Sequence, residues 1–211
     1  MRDIDACIMA SGGMDSTTLI YKLLSENVRL RVIFINYGQH FFETELSALK
    51  NVLSEDMFND MKIIDISSIY TESNSPLIKK YDLWQDVVID EMLYVPFRSL
   101  VMVSSAMAYT QSIGVNDLYA AFIDSNFVKD IDATSNFFDH LEKTTDIYES
   151  VKLRLPLRSL NKIQVLELGI SLGAPVGQSF SCQVSSNAPC GACPNCVDRE
   201  NAIAEWYRSN L

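Results

Sequence analysis

A glycine pair near the amino terminus separates an apolar run from a segment with a helical pattern. Residues 4–10 predict a short buried strand, and residues 16–25 predict a helix. Glycine adopts backbone angles that other residues resist, and it lets the chain pass close to an anion. A helix that follows such a turn presents unpaired N–H groups and the positive end of its dipole. This arrangement predicts a phosphate-binding loop, whose candidate residues are Ser11, Gly12, Gly13, Asp15 and Ser16. Because like charges repel, Asp15 is better suited to hold the loop or a bridging magnesium ion than to bind phosphate directly.

Strand-like and helix-like segments alternate along the rest of the chain. Further strands are predicted at 30–36, 61–66 and 116–122, and further helices at 43–53, 98–113, 136–149, 162–172 and about 198–208. This alternation predicts an α/β fold, a Rossmann-like (HUP-type) parallel sheet with helices on both faces. Ligands in such sheets bind at the carboxyl ends of the strands.

Composition and charge narrow the class of protein. The 211 residues are 48% hydrophobic, enough for one domain with a sizeable core. The net charge of −10 repels a polyanion, so a nucleic-acid partner is disfavoured. The sequence contains no run of eighteen apolar residues, so it does not predict a membrane span. Residues 1–5 do not have the pattern of a secretory signal. We therefore expect a cytoplasmic protein.

Four of the five cysteines lie close together near the carboxyl terminus. They are Cys182, Cys190, Cys193 and Cys196, and they follow the pattern Cys-x7-Cys-x2-Cys-x2-Cys. Thiolates at this spacing can hold one tetrahedral Zn²⁺ in a closed structural site. An iron–sulfur cluster and a redox dithiol remain open as alternatives. We expect a phosphate-binding domain at 1–175 and a metal-binding segment at 176–211 that packs on it.

The loop motif is similar to that of the PP-loop ATP pyrophosphatases, enzymes that cleave ATP between the α and β phosphates. The P-loop string Gly-x-x-x-x-Gly-Lys-Ser/Thr is absent. The order of loop and cysteines resembles the 7-cyano-7-deazaguanine synthase (QueC) family. Three further stretches support the resemblance: Tyr-Gly-Gln at 37–39, Val-Pro-Phe-Arg at 95–98 and Pro-Leu-Arg-Ser-Leu-Asn-Lys at 156–162.

This resemblance implies a reaction and its partners. Members of the family adenylate 7-carboxy-7-deazaguanine with ATP, and ammonia then attacks to give an amide. A second activation by ATP dehydrates the amide to the nitrile, 7-cyano-7-deazaguanine (preQ0). The implied ligands are ATP, Mg²⁺, the acid, ammonia and a structural Zn²⁺, and the implied assembly is a homodimer.

The resemblance also implies roles for single residues. Lys162 would neutralise the departing pyrophosphate, and Asp15 would hold the loop or a bridging magnesium ion. Arg98 would bind a phosphate or the substrate carboxylate, and Gln39 would contact the substrate. The predicted catalytic residues are therefore Asp15, Lys162 and Arg98.

Two stretches depart from the family pattern. The family has Arg-His after Tyr-Gly-Gln, whereas His40 and Phe41 stand here, so His40 is either a general base or a plain loop residue. The stretch at 122–132 replaces the segment with which the family contacts the base. Asp124 and Asp130 stay in register and would either accept hydrogen bonds from a guanine-like edge or form an acidic surface loop.

These departures leave other functions open. A diverged relative would adenylate a deazaguanine or another carboxylate and transfer it to a different amine, including one on a protein. A non-catalytic nucleotide-binding module would bind ATP without turning it over. A tRNA-modifying ATP pyrophosphatase would need a surface for a polyanion, which the charge of −10 disfavours.

Overall fold

One parallel sheet organises the chain. The computed structural model describes residues 4–81, 90–123, 134–147, 151–185 and 188–210. Within these ranges the strands are β1 (Ala6–Met9), β2 (Leu30–Asn36), β3 (Lys62–Asp65), β4 (Asp117–Tyr119) and β5 (Lys152–Arg154). They lie in the order β3-β2-β1-β4-β5, and each neighbouring pair is parallel. The predicted α/β architecture is confirmed.

Helices connect and cover these strands. In chain order the described α-helices are α1 (Met14–Ser25), α2 (Phe42–Val52), α3 (Glu55–Asn59), α4 (Arg98–Ser112), α5 (Ser135–Ile147), α6 (Lys162–Ser171) and α7 (Pro194–Asn210). Short 3₁₀ turns occupy Ser67–Tyr70, Asp90–Leu93 and Val176–Gln178. No helix in the described ranges is both long enough and apolar enough to cross a bilayer.

The core has two halves because side chains on a strand point alternately to opposite faces of the sheet. In β1, Cys7 and Met9 join one buried cluster, while Ile8 joins the other. Helices α4 and α5 cover the first face and contribute Val103 and Phe138 to it. Helices α1, α2 and α6 cover the second face with Leu19, Leu49 and Val165. Both faces of the sheet are therefore buried, which explains the nearly continuous apolar runs of β1 and β2.

The sheet changes direction at β1. The chain proceeds from β1 to β2 and β3 on one side, then returns to place β4 and β5 on the other side. Loops that leave the carboxyl ends of β1 and β4 therefore diverge to opposite faces and open a crevice between them. This position is where an open parallel sheet binds its ligands.

The structure differs from the sequence-based expectation at several places, among them the short helix α3, which was not predicted, and β4, which is shorter than predicted. Strand β5 was not predicted, because only Leu153 of its three residues is buried and the strand is too short to show a pattern. Helix α7 begins at Pro194 rather than near 198, since proline fits the first helical position. Helix α1 begins at Met14 rather than at residue 16, and it has no side-chain cap.

A close contact between α1 and α6 yields a test of this packing. A Cβ atom on Gly169 would lie 2.5 Å from Thr18 Oγ1 and 2.8 Å from Val176 Cγ1. We expect Gly169→Ala to lower the free energy of unfolding by about 1–3 kcal/mol, despite the higher helix propensity of alanine. Urea denaturation measures this change. Gly177→Ala is the matched control, since nothing lies within 4 Å of a Cβ there, and equal stability of the two variants would contradict the prediction.

Candidate functional site

A cavity of about 270 Å³ opens at the carboxyl ends of β1, β2 and β4. Its wall combines the loop after β1 with side chains from α4, α6 and the segment that precedes α7. The residues predicted from the sequence that line it are Ser11, Gly13, Asp15, Ser16, Gln39, Arg98, Lys162 and Cys182. The fold therefore brings together residues that are far apart along the chain.

Gly12 allows the loop to lie directly on helix α2. Its φ angle is +78°, and a Cβ atom would lie 2.9 Å from Leu49 N and 3.0 Å from both Ala48 Cβ and Glu45 O. Only glycine accepts this angle and this contact without displacing backbone. The bulk of α2 thus holds the loop in place from behind.

The first turn of α1 receives no cap from its own N-cap residue where it meets the cavity. Gly13 occupies the N-cap position and has no side chain to cap the helix. The hydroxyl of Ser16 instead donates to Gly13 O at 3.1 Å. The N-terminal turn of a helix carries a partial positive charge and unpaired N–H groups, so this turn is suited to bind an anion.

Asp15 and Lys162 form an ion pair in the cavity wall. Lys162 Nζ donates to both Oδ1 and Oδ2 of Asp15 at 2.8 Å, and both side chains are largely buried. Asn161 caps α6 by accepting from Gln164 N–H at 2.9 Å, which places Lys162 at the first helical position. A cation is disfavoured at a helix N-terminus. The carboxylate of Asp15 offsets this cost and holds the ammonium group beside the loop.

Arg98 is a second cation on the same cavity. It is half-buried at the start of α4, and its Cζ lies 5.5 Å from the centre of the Tyr37 ring. None of the carboxylates in the described ranges forms an ion pair with it. The preceding Phe97 has a φ angle of +53° and a 61% exposed side chain. Such a backbone angle is unusual for a bulky residue, and it turns the chain into α4 directly before Arg98.

The amide of Gln39 is committed to protein partners. Its Nε2 donates to Ile35 O at 3.1 Å and to Glu45 Oε2 at 2.9 Å. Its Oε1 accepts from Tyr37 N–H at 2.9 Å. Both amide hydrogens are therefore occupied, and the observed role of Gln39 is to hold Glu45. Direct contact between Gln39 and a substrate stays a prediction.

Glu45 is a cavity residue that the sequence reasoning missed. Burial raises the pKa of its carboxyl to about 7, while the hydrogen bond from Gln39 and the charge of Arg98 oppose this rise. Burial also raises the pKa of the neighbouring Tyr37. In the sequence, Glu45 is one of two acids on an amphipathic helix, and no local pattern distinguishes it from Glu43. Only the packing of α2 against the loop places Glu45 at the cavity.

The four cysteines predicted as metal ligands converge. All four sulfur atoms lie within 4.8 Å of one another, and Cys190 Sγ is 4.0 Å from Cys196 Sγ. Ligands about 2.3 Å from a tetrahedral zinc ion would be separated by about 3.8 Å, so the cluster fits one such ion. Backbone N–H groups of Ser185 and Cys193 donate to Cys182 Sγ and Cys190 Sγ, each at 3.2 Å. These bonds stabilise thiolates, the form that binds a metal.

Three predicted residues remain: Asp124, Asp130 and His40. Asp124 and Asp130 fall outside the described residues. His40 does not line the cavity, and both of its ring nitrogens are buried without a hydrogen-bond partner in the described ranges. Burial lowers the pKa of His40. A general base must reach the proton that it removes, and the enclosed ring of His40 does not reach the cavity in this structure.

Comparison with known families identifies one match that extends over nearly the whole chain. The model of the family described as queuosine biosynthesis protein QueC matches residues 5–207. The matched residues include both the loop after β1 and the four cysteines.

Individual relatives carry a common name. The 7-cyano-7-deazaguanine synthase of Chlorobium phaeobacteroides (strain BS1) is 27% identical over 209 residues, covering 94% of this chain and 91% of that protein. The enzyme of that name from Hahella chejuensis is 29% identical and covers 94% of this chain and 87% of the relative. The enzyme of that name from Thermoplasma acidophilum is 26% identical, and the match covers 95% of this chain and 87% of the relative.

Solved structures confirm the fold. The U34-tRNA thiolase NcsA from Methanococcus maripaludis, solved with its 4Fe-4S cluster, superposes with a TM-score of 0.50. It is 15% identical and covers 100% of this chain and 68% of that protein. An NMN synthetase from Francisella tularensis also superposes with a TM-score of 0.50, at 16% identity. This match covers 99% of this chain and 85% of that protein. At these identities the likeness concerns the fold alone.

The pKa of Glu45 predicts how stability depends on pH. From pH 4.5 to about 7 the folded state holds a proton at Glu45 that the unfolded state has released. The free energy of unfolding should therefore fall as the pH rises through this window, by up to about 3 kcal/mol from this residue. Glu45→Gln removes this contribution and should flatten the profile.

Urea denaturation at several pH values from 4.5 to 8 measures the two profiles. Glu43→Gln, in the exposed first turn of the same helix, is the matched control for loss of a carboxylate. A wild-type profile with the same slope as that of Glu45→Gln would contradict the prediction.

Proposed function

Because this chain belongs to the QueC family, whose members are ATP-dependent carbon–nitrogen ligases, we propose that it is a 7-cyano-7-deazaguanine synthase. In this proposal it activates 7-carboxy-7-deazaguanine with ATP and converts the acid with ammonia, through the amide, into the nitrile. The main support for this proposal is the Asp15–Lys162 ion pair, which lies beside the glycine loop and the first turn of α1. It supplies a fixed cation at the place where a phosphate chain would lie.

The proposed chemistry requires activation of a carboxylate. A carboxylate is a poor electrophile, and transfer of AMP to it creates a leaving group. The negative charge that develops on pyrophosphate must be neutralised as the phosphoryl bond breaks. Lys162 Nζ and the first turn of α1 provide this neutralisation, and Ser11 adds a hydroxyl donor. Ser16 lines the same cavity, where its hydroxyl donates to Gly13 O and so supports the loop. Asp15 keeps Lys162 in position and is the residue suited to hold a Mg²⁺ ion that accompanies ATP.

Arg98 is assigned to the acid substrate. A guanidinium group binds a carboxylate through two parallel hydrogen bonds. Arg98 lies over the ring of Tyr37, its charge also acts on Glu45, and no carboxylate in the described ranges forms an ion pair with it. Its positive charge is therefore suited to an anion in the cavity. Since Arg98 and Lys162 line the same cavity, an acid held by one lies within the site served by the other. Such positioning lowers the barrier to adenyl transfer.

The cysteine cluster is assigned to a single structural Zn²⁺. Four thiolates complete a tetrahedral shell, which leaves no position for a substrate. Three of the four cysteines are buried and the fourth is half-buried, as suits a closed site. The ion would join the segment before α7 to the start of that helix, because Cys182 lies before it and Cys196 within it.

A second candidate function differs only in the acceptor. The stretch at 122–132 departs from the family segment that contacts the base, while the phosphate loop and Lys162 match the family. A diverged relative would form the same adenylate and transfer the acyl group to another amine. Product analysis distinguishes the two candidates.

Turnover of ATP tests the proposal directly. Purified protein with Mg²⁺, ATP and 7-carboxy-7-deazaguanine should release AMP and pyrophosphate and, when ammonia is added, form the nitrile, which mass spectrometry detects. Consumption of the acid without nitrile would favour the second candidate. Absence of any AMP, while ATP still binds, would leave a nucleotide-binding module and refute a catalytic role.

Lys162 should be needed for the chemical step. We expect Lys162→Met to lower kcat by roughly 10²–10³-fold, because a preorganised charge at the leaving group is lost. Lys50→Met, on the exposed side of α2, is the matched control and should keep wild-type kcat. Steady-state measurement of AMP release compares the variants, and a Lys162→Met enzyme with wild-type kcat would exclude the assigned role.

Metal analysis tests the assignment of zinc. The purified protein should contain one zinc ion per chain and show no visible absorption from iron and sulfide. Cys193→Ser should lose metal and lower the thermal midpoint, because a structural zinc site stabilises the fold directly. Cys7→Ser, whose thiol lies in β1 apart from the cluster, should retain the metal and serves as the control. A coloured protein with several iron atoms per chain would refute zinc.

A further inference from the structure

Residues 179–182, here called the strap, run from the cysteine cluster across the phosphate loop. Phe180 N–H donates to Gly12 O at 2.9 Å. Ser181 Oγ accepts from Met14 N–H, the first amide of α1, at 3.4 Å. A Cβ atom on Gly13 would lie 3.5 Å from Phe180 O and 3.6 Å from Ser181 Oγ. The strap therefore contacts three successive residues, Gly12, Gly13 and Met14.

One end of the strap is a cysteine of the cluster. Cys182 follows Ser181 directly and is 2% exposed. Its sulfur accepts from Ser185 N–H at 3.2 Å, which folds the chain around the proposed metal position. Occupancy of the cluster would therefore fix the strap at this end.

Arg199 holds the other end. Its Nη1 donates to Ser179 Oγ at 2.6 Å, and its Nη2 donates to Val176 O at 2.8 Å. The two nitrogens of one guanidinium group thus bind two points of the chain that leads into the strap. A lysine ammonium has no planar fork and cannot reproduce this pair of contacts in the same geometry. Arg199 lies on α7 three residues after Cys196, so one helix anchors both ends of the strap.

Arg199 is also near enough to Cys196 of the cluster and to Asp15 beside the loop for both to act on its charge. Burial lowers its pKa, and the negative charges of Cys196 and Asp15 oppose that effect. Arg199 does not line the cavity and therefore does not contact a ligand there. Its effect on a nucleotide must act through the strap.

We propose that Arg199 is a positioning residue that holds the strap against the phosphate loop and so sets the affinity of the loop for the phosphates of ATP. This inference rests on the proposed function, in which the loop binds ATP. The strap occupies Gly12 O and one amide of α1, and it confines Gly13 between itself and the helix. A loop already held in its binding conformation loses less conformational entropy when the phosphates bind.

The same geometry couples the metal to the nucleotide. If the metal fixes Cys182 and the strap fixes the loop, metal occupancy favours ATP binding. By linkage, bound ATP must then strengthen metal binding by the same factor.

Arg199→Lys and Arg199→Met test the proposal against Arg208→Met, a change on the same helix. Arg208 Nε donates only to Ala204 O of its own helix at 3.2 Å among its described hydrogen bonds. The measurements are metal per chain, thermal midpoint without ligand, and dissociation constants for ATP and for adenosine by competition. Loss of two charge-assisted hydrogen bonds should raise the dissociation constant for ATP roughly ten-fold or more in both Arg199 variants. Adenosine affinity and metal content should stay at the wild-type values.

Any result other than the expected one counts against the proposal. Wild-type ATP affinity in Arg199→Lys would overturn it, because the fork would then be unnecessary. Equal weakening of ATP and adenosine would show general damage to the cavity and also overturn it. Loss of metal from Arg199→Lys would make Arg199 a support of the cluster instead. Wild-type protein that does not bind ATP would refute the proposed function, and this inference with it.

Discussion

The close approach of Gly12 to helix α2 is the contact on which the rest of the site depends. Backbone atoms of α2 lie where any larger residue would place its Cβ atom, so the loop has one position relative to the sheet. That position directs the first turn of α1 into the crevice where the sheet changes direction. Because α2 also carries Glu45, the same contact brings a carboxyl into the cavity. Loop, helix terminus and acid are thus fixed by one packing interaction.

Each acidic or basic side chain of the cavity is held in place by a neighbouring side chain. Lys162 is held by Asp15, Arg98 lies over Tyr37, and Glu45 is held by Gln39. In a partly buried cavity each charge costs desolvation energy unless a partner compensates it. Glu45 meets this constraint through a pKa raised toward neutrality, whereas Lys162 meets it with an ion pair. The result is a site prepared for anions, with two cations on one cavity.

The cysteine cluster is more than an attachment of the carboxyl-terminal segment. Cys182 lines the cavity, and the strap that leads to it bonds to Gly12 O. The loop therefore contacts both α2 and the strap. A metal ion bound by the four thiolates would stiffen one of these two supports, and Arg199 secures the strap from the far end. In this arrangement the phosphate loop and the distant cysteine pattern are joined through the strap.

The sequence by itself determined the features that depend on local chemistry. The glycine pair, the cysteine spacing, the apolar strands β1 and β2 and the helix after Asn161 each follow from short-range patterns, and the structure contains them. Tertiary packing decided the rest. Strand β5 is recognisable only beside β4, because three residues show no period. The partners of Gln39, the burial of Glu45 and the contacts of Arg199 arise between elements far apart in sequence, where no local pattern records which side chains will meet.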